Sequence, residues 1–239
     1  MGTKLSVNIN KIATLRNARG GNLPSVVMAA KQIQAFGAEG ITIHPRPDER
    51  HITTQDVFDL KDVVYTEYNI EGYPDERFLA LIEKANPTQA TLVPDPPNTL
   101  TSDAGWDTIK HFDFLKDINQ AVKLKGVRTA IFIEPISKMI EAAGKIGVDR
   151  IEFYTGPYAA QYKQNRDSAI APFIDAARIA QEVGLGINAG HDLNLENLQF
   201  FKSSIPNLLE VSIGHALIAD ALYLGLENTV AMYKNRLTD

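Results

Sequence analysis

The stretch Gly40-Ile41-Thr42-Ile43-His44 reads as a short apolar strand. After a charged 45–51 loop, Thr53 or Thr54 caps a helical pattern to about Lys61, and Val63 to Ile70 supplies the next strand. Two strands joined by a helix of this length are parallel neighbours, because a parallel pair needs a crossover of a dozen or more residues. Upstream, Leu5 to Ile9 is a strand followed by a polar loop, and Pro24 to Phe36 is a helix ending before Gly37. Downstream, Pro74-Asp75-Glu76 opens a helix through Ala85, and Gln89 to Val93 follows as a strand. Residues 94–109, with Pro94, Pro96, Pro97 and Gly105, read as a long βα loop placed to cover a site. The order continues with a helix at His111–Leu124, a strand at Val127–Ile133, a helix at Ser137–Lys145 and a strand at 149–154. Residues 155–167 show little periodicity; 168–183 is helical, 185–189 a strand, Leu195–Phe201 a helix, Leu208–Ile213 a strand, and Ala216 onward helical with an interruption near Gly225.

Eight βα repeats in 239 residues predict a single closed (β/α)8 TIM barrel with additional short helices; an open α/β sheet is the structural alternative. The 44% hydrophobic content suffices for one large core, and no linker or low-complexity block divides the chain. With 24 basic and 29 acidic side chains the net charge is −5, which argues against broad attraction to polyanions, and no basic surface with interleaved aromatics points to nucleic acid. The absence of Cys excludes disulfides, thiolate catalysis and Cys-based metal clusters. No HExxH, glycine-rich nucleotide loop or multi-ligand metal motif occurs, so neither metal nor cofactor is expected. The chain start lacks a long apolar signal and no later segment is an uncharged membrane span, so a soluble cytoplasmic protein is expected.

In such a barrel the chemistry sits at the C-terminal ends of the strands. Asn8, His44, Glu71, Glu152, His191 and the Gly214-His215 pair fall at or just beyond successive strand ends, positions that face one pocket. Glu71, approached by a buried strand, is a candidate acid/base whose proton affinity desolvation would raise, or else a strand-end salt bridge. His44 titrates near neutrality or serves as a structural hydrogen-bonding group. Gly190-His191 joins a titratable ring to a flexible turn, suited to a proton donor. Gly214-His215 either brings backbone N–H groups towards phosphate or caps the last helical region. Arg16 and Arg19 in the first loop, and Arg46, Arg50 and His51 in the second, form two anion-contact patches or salt-bridged surface. Asn8 and Thr101 can orient a polar substrate or satisfy loop backbone, and Glu152 and Tyr154 either position substrate or support the core. The Phe200-Phe201 pair packs a helix.

The segments from Val7 to Gly20, Gly40 to Arg46 and Arg50 to Thr53 closely resemble the pyridoxine 5′-phosphate synthase family. So do Asn69-Ile70-Glu71, Leu92-Val93-Pro94, Ile151 to Gly156, Asn188-Ala189-Gly190-His191 and Ile213-Gly214-His215-Ala216, in the corresponding order over nearly the whole chain. The resemblance implies a ring-forming synthase of the transferase class in vitamin B6 biosynthesis. It would condense 3-amino-2-oxopropyl phosphate with 1-deoxy-D-xylulose 5-phosphate into pyridoxine 5′-phosphate, phosphate and water, with no cofactor. It implies proton-acceptor roles for His44 and Glu71 and a proton-donor role for His191. Asn8, Arg19, Gly214 and His215 resemble contacts to the amino-ketone phosphate, and Arg46, His51 and Thr101 contacts to the deoxyxylulose phosphate. Asn10, Lys11, Glu152 and Asp192 match further substrate-contact positions. Asn10-Lys11 departs from an Asp-His pair found in the family, Asp192 stands where Gly occurs, and Tyr154 where His occurs. The resemblance also implies a homo-octamer. Other readings of the same residues are a phosphate-binding isomerase or aldolase barrel, or a barrel that binds a metabolite without turnover.

Overall fold

The computed structural model describes residues 2–95 and 102–238. Eight parallel strands among them close into a barrel in sequential order: β1 (Lys4–Asn8), β2 (Gly40–Ile43), β3 (Glu67–Gly72), β4 (Gln89–Leu92), β5 (Arg128–Ile133), β6 (Arg150–Tyr154), β7 (Gly186–Gly190) and β8 (Leu208–Ile213), with β8 returning to β1. The predicted closed barrel is thus observed, and the open sheet is not. The helices are α1 (Asn10–Asn17), α2 (Val26–Ala35), α3 (Thr54–Lys61), α4 (Glu76–Ala85), α5 (Phe112–Lys123), α6 (Ser137–Ile146), α7 (Gly156–Gln161), α8 (Arg166–Glu182), α9 (Leu198–Ser204), α10 (His215–Leu224) and α11 (Leu226–Asn235). No helix among the described residues is long and apolar enough to cross a membrane.

The strands alternate sharply. Outward-facing Val7, Ile41, Ile70, Leu92, Ile131, Phe153 and Val211 are buried against the helical ring, each such side chain contributing about 1.5–3 kcal/mol by leaving water. Most inward positions are polar instead, with Ala130 and Phe132 of β5 among the exceptions. A hydrogen-bonded belt crosses four strands: Ser6 Oγ meets Thr42 Oγ1 at 2.7 Å, Asn69 Nδ2 donates to Thr42 Oγ1 and Thr91 Oγ1 donates to Asn69 Oδ1. Below it Glu67 accepts from both Lys4 and Arg128, while Arg150 lies 3.8 Å from Glu210 and donates to Asn188. Burial alone would raise the Glu67 pKa, but those two donors hold it down at about 2.

Several local expectations are corrected. The first loop is not irregular: Asn8 Oδ1 accepts from the Asn10 N–H, and α1 starts directly beyond β1. Within 155–167, α7 forms as a short piece opened by Gly156-Pro157, too short to show periodicity, and α8 already starts at Arg166. β3 starts at Glu67 and not at Val63, because Gln34 Oε1 accepts from the N–H groups of Tyr65 and Thr66 and holds that segment in a turn. α9 starts three residues late, since Asn194 and Asn197 exchange side-chain to backbone bonds ahead of it. Residues 96–101 of the long fourth loop, Thr101 included, lie outside the described residues; beyond them Trp106 N donates to Phe132 O, seating the return of the loop on β5.

Candidate active site

A pocket of about 370 Å³ opens at the C-terminal end of the barrel. It is lined by Asn8, Asn10, Lys11, His44, Arg46, His51, Glu71, Glu152, His191, Asp192, Gly214 and His215, so residues spread over more than two hundred positions of sequence converge there. At its centre Glu71 exposes 13% of its side chain, with Asn8 Nδ2 at 3.4 Å and His44 Nδ1 at 4.0 Å from Oε2. Burial, reinforced by the nearby Asp95 charge, pushes the Glu71 carboxyl up to about 8. His44 moves the opposite way: burial first, then the charge of Arg46, holds it well below 6.5, so the ring is neutral at neutral pH. Its backbone N–H donates to Asn10 Oδ1 at 3.0 Å, and Asn8 Oδ1 accepts from Asn10 N, so Asn10 links the ends of β1 and β2. An amide oxygen in place of a carboxylate preserves that acceptor.

Glu152 is buried deeper in the same wall, and desolvation followed by the neighbouring Glu71 and Glu210 raises its pKa well above the carboxylate range. His51 accepts from Ile52 N through Nδ1 at 2.9 Å, which leaves its Nε2 as the N–H donor. Burial, then Arg46 and Lys11, lowers its pKa to about 4. Arg46 is buried and bound to Asp95 at 2.5 Å, and Ser102 also donates to that carboxylate. His191 carries Asp192 Oδ2 at 2.9 Å from its Nδ1 and the Tyr154 ring edge-on at 5.2 Å between centroids. Gly214 leaves α10 directly behind it, and a Cβ there would press on Asn8 at 3.1 Å.

Two arginines are not brought to this pocket. Arg16, on α1, reaches across to α3 and donates to both oxygens of Asp56, at 2.5 and 2.8 Å, a buried pair that excludes it from an anion patch. Its Nη2 also donates to His51 O, so it braces the loop that carries His51. Arg19 sits on the exposed turn beyond the C-terminus of α1, away from the pocket lining. Other contributors escaped the sequence reading. Asp95 follows the end of β4, the positional signal that marked the other candidates, and Ser212 and Glu210 share the inward parity of β8. Among the described residues no group of three or more His, Asp and Glu is arranged to hold a metal ion.

Fold and site together define a barrel enzyme of acid–base type: two buried carboxyls with raised pKa, neutral histidines beside them, and Lys11, Arg46, Arg50 and His51 on the rim. Among solved structures, the fold resembles Mycobacterium tuberculosis tryptophan synthase (TM-score 0.67, 11% identity, 99% of this chain and 93% of that chain). It also resembles phosphoribosyl anthranilate isomerase from Thermus thermophilus (TM-score 0.61, 11% identity, 98% of each chain). At those identities the likeness concerns the fold. Sequence similarity is more specific. A profile of the family described as pyridoxal phosphate biosynthesis protein PdxJ matches residues 5–239. Pyridoxine 5′-phosphate synthase of Flavobacterium johnsoniae is 60% identical over 98% of this chain and 99% of its own length, and that of Parabacteroides distasonis is 58% identical over 97% and 98%. The chain belongs to the pyridoxine 5′-phosphate synthase family.

Proposed function

We propose that the chain condenses 3-amino-2-oxopropyl phosphate with 1-deoxy-D-xylulose 5-phosphate to give pyridoxine 5′-phosphate, phosphate and water. The observation that carries the chemistry is Glu71, a carboxyl at about 8 in the centre of the barrel mouth with a neutral His44 beside it. Ring formation needs a base to make the carbon nucleophile and a donor to release oxygenated leaving groups once amine and carbonyl are joined. Glu71 and His44 take protons and His191 gives one. A base with pKa near 8 is ionised in about a tenth of molecules at pH 7 and returns its proton readily, as successive transfers require. Gly214 and His215 at the start of α10, with Asn8, hold the amino-ketone phosphate; Arg46 and the Nε2–H of His51 hold the other. Asn10, Lys11, Glu152 and Asp192 complete the pocket wall; Thr101 is assigned to substrate by family resemblance, as is Arg19 although its turn lies away from the pocket lining.

The reading includes one barrel domain, small phosphorylated substrates in place of nucleic acid or membrane, and a homo-octamer in the cytoplasm; exposed Leu222 and Tyr223 of α10 supply apolar surface for self-association. The test is product formation from the two phosphorylated substrates, followed by mass spectrometry and ultraviolet absorbance, with Glu71→Gln as matched control. Wild type should yield pyridoxine 5′-phosphate and the variant little. Ligand binding without product would overturn the assignment in favour of a non-catalytic barrel.

A further inference from the structure

The turn after β7 is built in an unusual way for the residues it carries. His191 (φ 80°) and Asp192 (φ 61°) both occupy the left-handed backbone region, where a glycine at 192 would sit without strain. The turn is pinned through main-chain oxygens. Thr155 Oγ1 donates to Gly190 O at 2.6 Å and to His191 O, and Asn197 Nδ2 donates to Asp192 O at 3.2 Å. None of these bonds uses the Asp192 side chain. That side chain instead folds back on its neighbour, Oδ2 lying 2.9 Å from His191 Nδ1.

We infer that Asp192 is a positioning residue for His191, fixing its ring with Nδ1 protonated so that Nε2 carries the proton delivered in turnover. The inference rests on the proton-donor role proposed for His191. The bond to His191 keeps the Asp192 carboxyl below its usual range, so it is ionised at neutral pH and can only accept; the hydrogen of the pair therefore resides on Nδ1. The other groups around this ring do not substitute for Asp192. The Tyr154 phenol is raised by burial, then by Asp192, Asp103 and Glu134, and stays neutral. Glu152, packed beneath Gly190, is raised and protonated, and His215 from α10 adds to the field at Asp192 as a cation when charged. Asp192 is thus an anion in direct contact with the imidazole. With half of its side chain exposed (51%), solvent screens part of the effect.

The experiment is nitrogen-15 NMR of the two His191 ring nitrogens across a range of pH, reading which one holds the hydrogen in the neutral ring, with signals assigned by their loss in His191→Gln, for wild type, Asp192→Asn, Asp192→Gly and Asp192→Glu. The rate of product formation is recorded over the same pH range. In Asp192→Gly, and less in Asp192→Asn, whose amide oxygen can still accept, the Nδ1–H tautomer of His191 should lose population to Nε2–H, and kcat should fall by about three- to tenfold with it. Asp192→Glu should recover part of the Nδ1–H population. Asp192→Gly, freed of the left-handed constraint, should melt no lower than wild type, which separates the effect from unfolding. An unchanged tautomer balance of the His191 ring in Asp192→Gly overturns the inference, whatever happens to activity. A wild-type chain that forms no product overturns the proposed function instead, and the tautomer balance still decides whether Asp192 governs the ring.

Discussion

His44 Nδ1 stands 4.0 Å from Glu71 Oε2 across the neighbouring strands β2 and β3, and the same burial removes the charge from both. In water, an imidazole and a carboxyl at this distance would form an ion pair near pH 6. Here desolvation raises one group and lowers the other, so at neutral pH most molecules hold a protonated Glu71 beside a neutral His44. The register that produces this pairing sets Thr42 opposite Asn69 and Ile43 opposite Ile70, which brings the first residue beyond β2 level with the end of β3.

Glu71 must lose its proton before it can accept one from substrate, so kcat/KM of the wild type should rise with pH up to about 8. Glu71→Gln should lower turnover by about 10²- to 10⁴-fold and abolish that limb while the far-ultraviolet circular dichroism stays native. Steady-state rates across the pH range check both. A limb near the ordinary carboxylate value, or a variant with wild-type turnover, would remove Glu71 from the role of base.

The same shift predicts a stability effect with a defined sign. Glu71 binds its proton more tightly folded (about 8) than unfolded (4.5), so its contribution is complete below pH 4.5 and is lost as pH rises through 8. Glu71→Gln should therefore gain in melting temperature on wild type between about pH 5 and pH 9, with a free-energy slope of at most about 1.4 kcal/mol per unit. His44, held well below 6.5, and His51, lowered to about 4, act oppositely. Their contribution is present above 6.5 and lost as pH falls towards their folded values, so the acid-side decline should persist in the variant. Calorimetry at a series of pH values separates the two; parallel curves for the two proteins would contradict the Glu71 shift.

The strand-end rule located His44, Glu71, His191 and the Gly214-His215 turn because in a closed barrel that one position of each repeat faces the mouth, whatever the exact boundaries. What the rule cannot carry is the partner of a charged side chain. Arg16 reads the same from sequence whether it meets a phosphate or Asp56, forty positions away, and only the closing of α1 against α3 decides. Arg46 meets Asp95 for a similarly long-range reason. α1 itself was hidden because Asn10–Asn17 is largely polar and buries little beyond Ala13 and Arg16, so its periodicity is faint. The inward carboxyl of Glu210 was hidden by the bulge between Ile187 and Asn188, which offsets the pairing of β7 with β8.

Removing Asp56 should expose how much the Arg16 pair holds. Asp56 accepts from Arg16 twice and from the Thr53 N–H, completing the capping box of α3, and these bonds outweigh the burial that would otherwise raise its pKa. Asp56→Ala leaves a buried guanidinium without its carboxylate, a change that costs about 3–5 kcal/mol. Because Arg16 and Asn17 both donate to His51 O, the variant should also bind the phosphorylated substrates less tightly. Urea unfolding and isothermal titration measure the two effects, and a loss within about 0.5 kcal/mol would show the pair to be dispensable.

Gly190 is required by what lies beside it. A Cβ there would collide with Glu152 Oε1 and press on Ser212 O at 3.2 Å. Gly190→Ala should displace the Glu152 carboxyl into the pocket, lowering kcat by at least tenfold while the barrel persists. Kinetics alongside a crystal structure of the variant would check it; an unmoved Glu152 with normal turnover would show that the wall yields without consequence.

The alternation of apolar and polar faces along the strands has a consequence for how the chain finds its fold. On β3, Ile70 points to the helices and Glu71 to the mouth, and a slip of one residue would exchange them, forcing a carboxyl among Phe78 and its neighbours and stranding an isoleucine in the cavity. The same exchange would follow on β1 for Val7 and Asn8 and on β6 for Glu152 and Phe153. Misaligned barrels are thereby penalised several times over, and the side chains that equip the cavity also act as proofreaders of assembly.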